Sequence, residues 1–184
     1  MHCIQNLPDD YREVKVYNLQ KDKKTAFIIN ALAVIIMIVM IFIRPFSFYR
    51  ERLGSILKLV IMLIGMFIYV VLHEFTHGFA MKHYGGKEVK YGFTGLYAFA
   101  GSTADFFDKY AYIRIALAPI TIWGIIFLVL EILLPAGWKP IVYFLQIANF
   151  SGAAGDLFIS YQVSRMKNTL YVKDTGVDMT VYDK

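Results

Sequence analysis

The chain has 184 residues, of which 58% are hydrophobic and 18% charged, with a mean hydropathy of +0.51. That balance excludes an ordinary soluble domain and indicates an integral membrane protein built as a single domain, residues 1–184. The net charge of +5 comes from dispersed basic residues that flank apolar runs, which points to a lipid bilayer with anionic headgroups as partner and not to nucleic acid.

Met1 to Lys24 is polar, and Tyr11 to Tyr17 within it alternates as a short strand does. It holds the chain's single cysteine, Cys3, which excludes an internal disulfide and any cysteine-based metal site and reads as an unpaired surface thiol. Residues 25–43 form an unbroken apolar run of spanning length, the first predicted transmembrane helix. A short basic loop from Arg44 to Ser55 follows, and residues 56–80 form the second span. Gly85-Gly86 ends that helix. Residues 81–110 make the longest loop, whose mix of Val, Tyr, Phe and Gly between Lys87 and Ala100 predicts a β-hairpin or an irregular loop. Residues 111–134 form the third span, with a kink expected at Pro119. Residues 141–161 form the fourth. The polar tail, 162–184, carries a hairpin signal around Asp174-Thr175-Gly176. The expected fold class is therefore an all-α integral membrane protein with four transmembrane helices, a β-hairpin-like loop and short polar termini. Four spans place both termini on one side. Basic residues concentrate in the N-terminal segment, the 81–110 loop and the tail, so the positive-inside rule makes all three cytoplasmic in a multi-pass protein of the cell membrane.

The chemistry-bearing stretch is His73-Glu74-Phe75-Thr76-His77, an H-E-x-x-H motif near the end of the second span. Residues four apart share a helix face, so His73 and His77 offer two imidazole nitrogens to one metal ion. Glu74 lies about 100° around the helix from His73, placed to act as a base without being a ligand. Zinc is the expected cofactor, because neutral imidazole suits it. Histidine, glutamate and histidine together at membrane depth are costly, which makes function the expected reason for them.

A catalytic zinc site needs a third protein ligand. One candidate is Asp156, in the small-residue stretch Ser151-Gly152-Ala153-Ala154-Gly155-Asp156. The second and fourth spans run the same way, and His73 and Asp156 lie at similar depth in them. Small residues let the two backbones approach closely. Asn149, two turns before Asp156 on the same face, is a candidate for binding substrate or a developing oxyanion, or for bonding between helices. The rival ligand is His83, ten residues after His73, the offset of the third histidine in H-E-x-x-H-x-x-G-x-x-H. Ala80 stands where that pattern has its glycine.

An apolar chain with H-E-x-x-H at the end of one span and Asn149-x-x-Gly152-x-x-Gly155-Asp156 on a later one resembles the site-2 protease class of intramembrane zinc metalloproteases. It is more closely similar to a small bacterial group of zincin-type membrane peptidases, domain family 3267, over about Val70 to Gly176. The resemblance implies His73, His77 and Asp156 as zinc ligands, Glu74 as catalytic base and Asn149 as a substrate-holding residue. In this chain the aspartate follows a glycine instead of preceding one, and the proline of the site-2 protease motif is absent. The implied activity is a membrane-embedded zinc metalloendopeptidase acting on a transmembrane or membrane-adjacent protein or peptide. The alternative is a non-catalytic zinc-binding membrane protein, a sensor or structural subunit. A metal transporter is disfavoured by the lack of an inverted repeat.

Overall fold

The structure, a computed structural model, describes residues 2–18, 21–44, 52–95 and 98–184, with side chains in the second helix described from Ile56 onward. Most of the basic loop predicted between the first two spans, residues 45–51, lies outside the described residues.

Three long helices carry the apolar runs: α1 (Lys23–Ile43), α2 (Arg52–His83) and α3 (Lys109–Leu133). Among the described residues these three are long and apolar enough to cross a membrane. Their ends follow capping rules. The Asp22 side chain accepts from the amides of Lys24 and Thr25 at the start of α1, and Asp108 accepts from the Ala111 amide at the start of α3. At the end of α2, Gly85 takes a left-handed φ of +97°. The Gly85 and Gly86 amides then donate back to the Lys82 and Met81 carbonyls, closing a Schellman motif.

The region predicted as a fourth span is not one helix. It divides into α4 (Lys139–Gly152) and α5 (Ala154–Ser164), with the break at Ala153. Gly152 and Gly155 weaken helix propensity there. The break places Asp156 in the first turn of α5, where the partial positive charge of a helix start favours a carboxylate.

The all-α expectation is overturned, because the protein is mixed α/β. The polar termini and the end of the 81–110 loop fold into a five-stranded antiparallel sheet in the order β1-β5-β6-β7-β2. Its strands are β1 (Cys3–Ile4), β2 (Arg12–Asn18), β5 (Phe106–Asp108), β6 (Tyr171–Asp174) and β7 (Asp178–Asp183). Registers such as Cys3↔Phe107 and Phe107↔Val172 join residues far apart in the chain. No single strand announces that pairing, which explains why local patterning finds two of the pieces and not the sheet. The strand expected over 11–17 is β2, and the tail hairpin is β6–β7. The hairpin expected between Lys87 and Ala100 is also present, as β3 (Val89–Phe93) paired with β4 (Ala98–Ser102).

The sheet packs on the adjacent ends of the helices. Phe107, Val172 and Val181 are fully buried with Ala111, Ile115 and Val163 of α3 and α5. Cys3 is not a surface thiol: it lies in this core at 5% exposure, because β1 is drawn in by β5. Its neighbour Asp105 is a buried carboxylate that accepts from Gln5 Nε2, Ser102 Oγ and the Lys87 and Glu88 amides, tying the N-terminal strand to the hairpin. The hairpin in turn lies on α2. Gly78 allows this, since a Cβ there would fall 2.2 Å from the Tyr91 hydroxyl.

Candidate metal centre

His73 and His77 sit one turn apart on α2, with ring centroids separated by 4.9 Å. The α4–α5 break brings Asp156 opposite them. Its carboxylate oxygens lie 3.4 Å from His73 Nε2 and 3.5 Å from His77 Nε2, and the three possible ligand atoms fall within 4.8 Å of one another. The fold thus sets Asp156 beside His73.

The other ring nitrogens settle which atoms face the centre. His77 Nδ1 is 3.1 Å from the Ile115 carbonyl. A carbonyl only accepts, so Nδ1 carries a proton and Nε2 is the nitrogen turned toward Asp156. His73 Nδ1 is 2.9 Å from the Tyr69 hydroxyl, which itself donates to Asn149 Oδ1 at 2.9 Å. With its one proton committed there, Tyr69 accepts from His73 Nδ1–H, again freeing Nε2. Each imidazole thus has an outer hydrogen-bond partner at Nδ1 and its Nε2 turned toward the centre, the orientation that a zinc-binding histidine takes. Two such nitrogens and one carboxylate fit a zinc ion and leave a position for water or substrate.

Glu74 lines the same cavity, of about 260 Å³, with its carboxylate toward the Ala100 backbone amide. Residues 98–100 of β4 form one wall, and Tyr112 of α3 and Asp174 of β6 another. The cavity lies where helices meet sheet.

Of the other residues singled out in the sequence, Asn149 is fully buried and is not part of the cavity lining. Its amide is taken up by the Tyr69 hydroxyl and by donation to the Ile120 carbonyl at 3.1 Å. His83 is exposed at the last turn of α2, its ring edge-on to Tyr84, and stands outside the three-residue group. Six residues beyond His77 carry it about 9 Å along the helix and to another face. Sequence reasoning missed three contributors. Tyr69 is four residues before His73, so helical spacing alone would have placed it beneath that imidazole. Tyr112 donates to Asp174 Oδ2 at 2.9 Å across the cavity wall, a pairing only the sheet creates. Pro119, read only as a kink, leaves the Ile115 carbonyl without its helical donor and open to His77 Nδ1.

An H-E-x-x-H helix with a distal aspartate, carried on apolar helices, defines the class: a membrane-associated protein with a zincin-type metal motif. A family model described as "putative zincin peptidase" (DUF3267) matches residues 66–171, and the chain belongs to that family. The matched region runs from the start of the site on α2 through the hairpin, α3 and Asp156 to the first residue of β6. Membership supports a zinc metallopeptidase. No curated protein and no solved structure matches the chain.

Proposed function

We propose that the protein is a membrane-embedded zinc metalloendopeptidase that cuts transmembrane or membrane-adjacent peptides. The observation that carries this reading is the convergence of His73 Nε2, His77 Nε2 and the Asp156 carboxylate beside Glu74 in one cavity.

His73, His77 and Asp156 would hold the zinc ion, which supplies Lewis acidity to the reaction when bound. Glu74 takes a proton from the attacking water and passes it to the leaving amine. Among the described residues β4 pairs with β3 alone, and its residues 98–100 face the cavity. An extended substrate adds to that strand, which orients its backbone with little demand on side chains. Tyr69 and Asn149 keep His73 aimed from behind.

The same reading places α1, α2 and α3 across a bilayer, with α4 and α5 together completing a fourth crossing. Strands from both termini and from the loop before α3 share one sheet, which supports a single side for all three. Their basic residues assign that side to the cytoplasm. Cleavage then occurs near the cytoplasmic edge of the membrane.

Glu74→Gln tests the mechanism. The variant is expected to keep its zinc and lose at least about 100-fold in cleavage of a membrane peptide, the scale of general-base catalysis. Wild-type cleavage by a zinc-loaded Glu74→Gln protein would refute the assignment.

A further inference from the structure

Pro119 lies within α3 and is fully buried. Proline has no amide hydrogen, so the carbonyl four residues earlier, that of Ile115, lacks the donor an unbroken helix would give it. Ile115 is only 1% exposed, and a buried carbonyl left unmet is costly. In transmembrane helices a neighbouring side chain commonly satisfies such a group. Here the side chain is His77, whose Nδ1 lies 3.1 Å away.

The two imidazoles differ in how they find this outer partner. His73 uses Tyr69, four residues back on its own helix. For His77 the residue four back is His73, which already faces the metal centre. Its acceptor must come from another helix, and in an ordinary helix every buried carbonyl is engaged along the axis. A proline supplies both what is missing and a direction, because its ring crowds the carbonyl at i−4 and tilts it away from the axis.

We infer that Pro119 is a positioning residue of the metal centre: by opening the Ile115 carbonyl to His77 Nδ1–H, it fixes the tautomer that turns His77 Nε2 toward Asp156. The inference rests on the reading of His77 as a zinc ligand. Any other residue at 119 restores an amide hydrogen that competes for the same carbonyl.

Three full-length proteins test it: wild type, Pro119→Ala, and a chain with lactic acid at 119, whose backbone ester has neither ring nor amide hydrogen. Zinc affinity is read by competition with a chelator. His77 tautomer is read by ¹⁵N NMR on the metal-free protein, which has only four histidines, at a pH alkaline enough to leave His77 neutral beside Asp156. Pro119→Ala is expected to weaken zinc binding about 10–100-fold, the scale for losing an outer partner of a metal ligand. It is also expected to move His77 away from the pure Nδ1–H form. The ester protein should match wild type in both readouts, since its Ile115 carbonyl stays free. Unchanged values in Pro119→Ala would overturn the inference. Equal losses in the alanine and ester proteins would overturn it too, by tracing the effect to the ring's bend. A wild-type protein that binds no zinc would refute the metal reading, while the tautomer comparison would still decide the role of Pro119.

Discussion

In α1, Phe27 and Phe42 stand 73% and 82% exposed, whereas in the sheet Phe107, Val172 and Val181 are wholly buried. The same residue types thus point outward in one half of the molecule and inward in the other. A long helix apolar on every side is the pattern of a membrane span, and inward apolar side chains are what water enforces. Cohesion differs accordingly. Between the helices polar bonds are prominent, as expected of helices that pack in lipid, where much of the hydrophobic driving force is lost: Tyr69 to Asn149, Trp123 Nε1 to Thr76 Oγ1 at 3.0 Å, and Tyr143 to the Met40 carbonyl at 2.5 Å. In the sheet half, side chains pack by burial around Phe107. The candidate centre lies at the boundary. The helices supply its nitrogen and oxygen donors, and the hairpin and sheet supply walls that admit polar groups such as Asp174. On the proposed reading, a hydrolytic site carried by membrane-spanning helices gains access to water by sitting where they end.

The largest effect expected belongs to the helical donors. Asp156→Ala removes one of the three proposed ligands and should weaken zinc binding by on the order of 100-fold or more, while His83→Ala should leave it unchanged. Chelator competition on the purified protein decides between them, and loss of zinc in His83→Ala alone would move the centre off the boundary to the exposed end of α2.

A smaller effect, confined to the sheet half, is expected from Asp105. Burial opposes its ionisation, but hydrogen bonds from Ser102, Gln5 and the Glu88 and Lys87 amides outweigh it and hold the carboxyl below its ordinary value. A group shifted down in this way contributes its stability at neutral pH and loses it as the pH falls below about 4. Asp105→Ala leaves buried donors unmet and should cost about 2–3 kcal/mol, read as a lower Tm at pH 7 with zinc affinity nearly intact. The difference from wild type should shrink on acidification. A loss of zinc as large as that of Asp156→Ala would show that the two halves are not separable.

The smallest effect concerns Cys3. Burial, and then the charge of Asp105, push its thiol up to about 11. At pH 8 it should stay almost wholly protonated and react with iodoacetamide far more slowly than after denaturation. Fast labelling of the folded protein would mean that β1 does not hold the N-terminus in the sheet.

Much of the helical half was legible in the linear chain, because its signals are local. Runs of apolar residues mark α1, α2 and α3, Gly85-Gly86 marks the end of α2, and four-residue spacing puts His73 and His77 on one face. Alternation also marks β2, and turn chemistry the β6–β7 hairpin. Tertiary structure alone decided the rest. The sheet depends on strands of two to seven residues from distant parts of the chain, and strands so short gain stability only from partners that no local pattern names. The same pairing took Cys3 inside and brought Asp174 to the cavity wall. The fourth apolar run, 141–161, looked continuous, yet it breaks at Ala153, and Asp156 in the first turn of the new helix faces His73 and His77. Asn149 and Pro119 show the limit most clearly. Composition identified each as unusual, but whether an amide meets substrate or a tyrosine, and whether a proline bends a helix or frees a carbonyl, depends on which atom the fold sets opposite it.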